Sequence, residues 1–140
     1  MHDPRTEADR WLLSAREDFD YARHAASAGH HAPACFFAQQ AAEKAVKAAH
    51  FLRGARAVIG HSVRVLIEQL EPRDAAFDAL LDAARELDLF YIPTRYPNGL
   101  ESGTPGQAFS EAQSKRALDL ASPFVAAAEQ AVGHTSDGSS

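Results

Sequence analysis

Scarcity bounds this sequence before any motif does. One cysteine, Cys35, stands in 140 residues, so no internal disulfide can staple the chain. Cys35 lies among apolar neighbours and reads as a small core residue rather than a nucleophile. Valine and isoleucine are few, which argues against a sheet. No stretch approaches the roughly 18 apolar residues of a membrane span. The opening Met-His-Asp-Pro-Arg-Thr-Glu is charged and has no apolar segment behind it, so a secretory signal is not expected and a cytoplasmic location is. No glycine-rich phosphate loop follows a strand, and no nucleophile elbow or triad pattern is seen. The seven histidines are scattered, and His30-His31 has no matching carboxylate pair, so no metal site, no cofactor and no catalytic residue is assigned.

What is present is alanine. The hydrophobic share of 46% leans on it, and alanine favours helix and lets helices approach closely. Helical spacing predicts a first helix from about Thr6, with Thr6 as cap, ending at Gly29; Trp11, Leu12, Ala15, Phe19, Ala22 and Ala26 form its apolar face. A second helix, about Ala32 to Arg53, is apolar on more than one face, which places it centrally or at a subunit interface. Ser62 caps a short helix through Leu70. A fourth helix is expected over Asp74 to Tyr91, with Asp74, Asp78, Asp82 and Glu86 as a solvated acidic stripe. Pro93 to Gly106 holds three prolines and three glycines and cannot be regular. Thr104-Pro105-Gly106-Gln107 is a capping box opening a last helix to about Val132, kinked at Pro123. The expected fold is all-α, an up-down bundle of four to five helices forming one domain over residues 1–132, with 133–140 a flexible polar tail.

Charge is distributed unevenly. The net charge is −5, yet Lys44 to Arg64 carries five basic residues and no acid, leaving −10 for the remainder. That asymmetry reads either as a local anion site or as a solvated basic face. Asp18 lies on or beside the buried stripe of the first helix and needs a partner, for which Lys44 and Arg95 are candidates. Gln40, Glu43, Lys44 and Lys47 project within about one turn of each other; two lysines at this spacing can hold a phosphate, and Glu43–Lys47 can equally be a surface salt bridge. In Tyr91-Ile92-Pro93-Thr94-Arg95-Tyr96-Pro97, Arg95 offers a planar fork for phosphate. Tyr91 and Tyr96 can stack on a base or anchor the loop on the core. The candidate phosphate ligands are therefore Lys44, Lys47, Arg95 and Tyr96, supported by Asp18, Gln40, Tyr91 and His61.

These residues also carry a resemblance. Trp11, Ala15, Asp18 and Ala22 match the opening helix of the HEPN family, the nucleotide-binding domain of higher eukaryotes and prokaryotes. Phe37 to Ala48, Phe-Ala-Gln-Gln-Ala-Ala-Glu-Lys-Ala-Val-Lys-Ala, looks like its second helix almost residue by residue. Gly60 to Leu66 resembles the next segment, and Leu87 through Arg95-Tyr96-Pro97 resembles its Arg-Tyr-Pro element; the likeness covers about residues 8 to 130. It implies a helical bundle, usually dimeric, that associates with nucleotides or RNA, often beside a minimal nucleotidyltransferase in toxin-antitoxin modules. Some members are metal-independent ribonucleases with arginine followed four to six residues later by histidine in a late helix. Here the next histidine after Arg95 is His134. Arg56 and His61 have the spacing but stand between the second and third helices, and are read as coincidence. The expected function is thus nucleotide or RNA binding as a homodimer, with a ribonuclease toxin and a non-catalytic protein-interaction subunit as alternatives.

Overall fold

The computed structural model describes residues 3–137, with side chains described through Gly133. Seven α-helices occur among them: α1 (Pro4–Ser27), α2 (His31–Leu52), α3 (Val63–Glu68), α4 (Ala75–Asp78), α5 (Leu81–Asp88), α6 (Pro105–Ala108) and α7 (Glu111–Asp137). Three of these are long. The tightest packing joins α1 to α2, followed by α2 to α7 and α1 to α7. The four short helices lie against this trio.

Helix α1 begins earlier than its sequence predicts. Asp3, not Thr6, is the cap: Asp3 Oδ1 accepts from Arg5 N at 3.2 Å, and Thr6 Oγ1 donates to Asp3 Oδ2 at 2.6 Å. Pro4 then takes the first helical position, where its missing N–H costs nothing. The hydrogen bond from Thr6 leads the effects that hold the Asp3 carboxyl below its usual range. Gly29 and Gly54, at φ +83° and +97°, follow α1 and α2 in the left-handed region that glycine reaches without strain.

Helix α2 is the centre. Fourteen of its twenty-two residues are buried, so it is enclosed on more than the one face a surface helix would bury. Ala38, Ala42, Ala45 and Ala49 let the flanking helices close on it. Cys35 is fully buried there, and burial pushes its thiol up to about 12; it stays a protonated, unreactive core group.

The helix expected over Asp74 to Tyr91 is two helices. Asp74 Oδ1 accepts from Phe77 N at 3.1 Å and starts α4, and Leu80 (φ −104°, ψ 12°) leaves helical geometry before α5 begins. The break re-aims the chain. Phe77 packs on Phe124 of α7 with ring centroids 6.5 Å apart, and Ala84 and Leu87 enter the same core. The acidic stripe is mixed in role: Asp74 caps α4, Asp78 takes Arg73, Asp82 takes Arg85 and Glu86 takes Arg116.

The last helix is also divided. The capping box at Thr104 forms, with Gln107 Oε1 accepting from Thr104 N at 3.0 Å. A second box follows directly. Ser110 N donates to Gln113 Oε1 at 2.8 Å, and Gln113 N donates to Ser110 Oγ at 3.3 Å. Phe109, extended between them, turns its ring into the core against Phe90, at 6.0 Å. Helix α7 carries Pro123 within it and continues to Asp137. Five residues of the expected tail, 133–137, are therefore helical, and 138–140 lie outside the described residues.

Asp88, the last residue of α5, fastens this half of the molecule. Its carboxylate accepts from Val63 N at 2.7 Å, Ser62 Oγ at 2.8 Å and Arg64 N at 3.2 Å. An acid at a helix C-terminus opposes that helix's dipole, but Asp88 meets the favourable end of α3 instead. Asp88→Ala is expected to lower stability by about 2–3 kcal/mol, since charge-assisted hydrogen bonds are lost while Ser62 still caps α3. Urea denaturation measures this, and an unchanged midpoint would remove the brace from the account.

Candidate functional site

The acid-free basic stretch is largely neutralised once folded. Arg53 meets Asp74 at 3.5 Å and the Pro72 carbonyl, and Arg64 meets Glu68 at 2.6 Å. Lys44 Nζ reaches Asp18 Oδ2 at 2.8 Å and donates to Ser14 Oγ at 2.9 Å. Of the two partners considered for Asp18, the structure selects Lys44. Arg56 alone of the five has no acidic partner among the described residues.

Lys47, grouped with Lys44 by spacing, turns inward. Its ammonium lies 3.1 Å from Glu43 Oε2, and both side chains are under 10% exposed. The Glu43–Lys47 salt bridge, one of the two alternatives for these residues, forms, but buried rather than at the surface. A lysine so placed has its charge matched within the protein and does not present it to solvent. Trp11 covers it, with Nζ 5.5 Å from the ring centroid.

Glu43, which the spacing gave only as a partner for Lys47, is the hub. Besides Lys47, it takes His61 Nδ1 at 3.3 Å and Gln40 Nε2 at 3.2 Å. Gln40 also donates to Gln39 Oε1 at 2.7 Å, and Gln39 Nε2 donates to the His61 carbonyl at 2.8 Å. A buried helix face carrying Gln39, Glu43 and Lys47 must satisfy them, and it does so by drawing in the loop that bears His61. The available signal was a Gln-Gln…Glu…Lys set on a helix too apolar to have a wet face.

From His61 the site passes to the Tyr91 segment. The imidazole stacks on Tyr91, centroids 4.7 Å apart at 16°. Arg95 lies over three rings, its guanidinium carbon 4.9 Å from the Phe36 centroid, 5.0 Å from Tyr96 and 5.5 Å from Tyr91. Arg95 also donates to Tyr96 Oη at 2.9 Å. No carboxylate pairs with it among the described residues, and both Arg95 and Tyr96 are exposed. A small hollow of about 180 Å³ opens beside them, between His61, Ser62, Asp88, Tyr91 and Ile92. Thr94, buried, donates to the Phe90 carbonyl and fixes the turn.

The sequence-predicted residues therefore fall into two groups. Gln40, His61, Tyr91, Arg95 and Tyr96 form one continuous set through Glu43. Asp18 and Lys44 belong to a separate place between α1 and α2, and Lys47 lies beneath. Phe36 and Glu43 complete the first group; Phe36 was not among the candidates, and Glu43 was read only as a possible salt-bridge partner of Lys47. Among the described residues no group of His, Cys, Asp and Glu is arranged to hold a metal, and no helix is long and apolar enough to cross a membrane.

The model of the HEPN domain matches residues 8–131. This chain belongs to the HEPN family. The fold agrees. TT1696 from Thermus thermophilus is 39% identical, with a TM-score of 0.82 over 89% of this chain and 97% of that one. ST0689, an archaeal HEPN homologue, is 31% identical, with a TM-score of 0.73 over 90% and 98%. A HEPN domain protein from Thermotoga maritima is 32% identical, with a TM-score of 0.69 over 89% and 98%. No curated protein matches. The HEPN bundle expected from the second helix and the Arg-Tyr-Pro element is thus the observed one, with the fourth and last of the expected helices each divided in two.

In this HEPN chain the buried pair sets a stability test. Glu43→Ala leaves the Lys47 ammonium buried and unmatched, and is expected to cost about 3–5 kcal/mol. Glu43→Leu combined with Lys47→Met is expected to recover most of that loss. Chemical denaturation of the parent, single and double variants distinguishes the cases. A double variant no more stable than the single one would contradict the assignment.

Proposed function

We propose that this HEPN domain binds a nucleotide or RNA through the Arg95 group, as a homodimer and as the partner of a minimal nucleotidyltransferase. The observation that carries the binding reading is the state of Arg95. Its guanidinium is exposed, has no acidic partner among the described residues, and lies over the rings of Phe36, Tyr91 and Tyr96. Ring faces stabilise the cation without consuming its in-plane donors, and Tyr96 Oη takes only one of them, so the rest of the fork remains available to a phosphate. The partly exposed face of Tyr96 can take a base. The dimer and the nucleotidyltransferase partner rest on the family resemblance; sedimentation of the chain alone and co-purification with the product of an adjacent gene test them.

Fluorescence anisotropy with a short single-stranded RNA and with free nucleotides tests binding. Affinity should fall as salt rises from about 50 to 200 mM, as phosphate-dominated binding does. Arg95→Ala should weaken it by about tenfold or more, and Arg95→Lys should restore little, since lysine lacks the fork. An absence of saturable binding at low salt would sink the proposal.

One observation favours the ribonuclease as a second reading. No histidine follows Arg95 in sequence before His134, but His61 and Arg95 both contact Tyr91. Glu43 engages His61 Nδ1, an arrangement that orients an imidazole for proton transfer through its other nitrogen. Metal-free cleavage of RNA that disappears in His61→Ala and Arg95→Ala supports this reading; RNA bound but left intact by the parent excludes it.

A further inference from the structure

A second cleft, of about 380 Å³, lies between the N-terminal half of α1 and the C-terminal half of α2. It shares no lining residue with the Arg95 group. Trp11 and Phe51 form its apolar wall, stacked with centroids 5.3 Å apart at 16°. Three cations converge on it from three elements: Arg10 of α1, Lys44 of α2 and Arg56 of the following loop. The one acid of the lining, Glu7, is held by Arg10 at 2.8 Å in an exposed pair, a kind of contact that a competing anion exchanges readily.

The floor of the cleft is fixed. Asp18, nearly buried, anchors the Lys44 ammonium, and Ser14 Oγ accepts from the same ammonium, which leaves the Ser14 O–H to donate elsewhere. Behind the indole, the Lys47 ammonium lies 5.5 Å from the Trp11 centroid with its charge matched by Glu43, so it supports the wall without adding net charge. Arg56 brings a guanidinium with no acidic partner among the described residues to the rim. An apolar aromatic wall with a few convergent polar groups is the usual composition of a small-molecule site, and the volume lies in the range of such sites.

We infer that the Trp11–Lys44–Arg56 cleft is a binding site for a small phosphate monoester bearing a flat ring. The phosphate meets Arg56, the remaining donors of Lys44 and the Ser14 hydroxyl. The ring lies along the Trp11–Phe51 wall. This site is independent of the Arg95 reading and stands or falls separately from it.

Trp11 is the sole tryptophan of the chain, so the cleft carries its own reporter. Phenyl phosphate titrated into the full chain, with tryptophan emission excited at long wavelength and calorimetry in parallel, is expected to give a saturable change. Inorganic phosphate should bind more weakly and phenol not at all. Arg56→Ala, at an exposed loop position that folding does not depend on, should weaken phenyl phosphate by about tenfold, the loss of a charge-assisted contact. Arg95→Ala should leave it unchanged. No saturable signal by either method overturns the proposal, as does an Arg56→Ala variant that binds as tightly as the parent. Equal losses in Arg56→Ala and Arg95→Ala would move the binding to the other group and overturn it too. Inorganic phosphate binding as tightly as phenyl phosphate would remove the ring from the assignment.

Discussion

The structure depends on one constraint, that α2 runs through the middle of the bundle while carrying Gln39, Glu43 and Lys47 on buried positions. Alanine makes the central position feasible by letting α1 and α7 approach closely. The polar residues make it selective. A buried carboxylate and ammonium are tolerated only when matched to each other and to further hydrogen-bonding groups. Glu43 finds Lys47, Gln40 and His61, and Gln39 finds the His61 backbone. The loop after α2 is thereby held in place by the needs of the core.

From that anchoring the exposed chemistry follows outward. His61 supports Tyr91, Tyr91 and Phe36 support Arg95, and the turn beyond it presents Tyr96. On the other side of α2, Lys44 is fixed by Asp18 and Ser14 and faces a different cleft. Neighbouring lysines of one helix thus have separate fates. Lys47, three residues on from Lys44, turns into the core, and the phosphate pair suggested by their spacing is not presented on one surface.

Long-range periodicity made much of the fold legible. The α1 and α2 stripes, the Gly29 and Gly54 ends, the Ser62 cap and the Thr104 box all follow from residue types whose local preferences agree with the tertiary structure. The misses have particular causes. No glycine or proline marks the break at Ala79-Leu80; packing of Phe77 on Phe124 sets it. The break at Phe109 was signalled by Ser110 and Gln113, but one capping box directly after another reads as a single helix start. For the site, residue types pointed to Arg95, Tyr91 and His61, and the second-helix motif pointed to Gln40. The stacking order, and Glu43 as the common acceptor, depend on distances between segments that spacing along one helix cannot supply.

The unequal packing of long and short helices has a further consequence. α1, α2 and α7 hold one another through extended contact, whereas α3, α4, α5 and α6 are each eight residues or shorter and touch the trio over small areas. Short helices are not stable alone and borrow their order from docking. The short helices of roughly residues 55–110 are therefore expected to open at lower free energy than the three long ones, although Leu66, Ile67, Leu70 and Phe77 tie them into the core. Phe36 and Glu43 belong to the frame of long helices; His61, Tyr91 and Arg95 belong to the segment of short ones. Any ligand or partner that bridges them clamps the segment to the frame, so occupancy at this seam registers as suppressed local opening even where the average shape does not change.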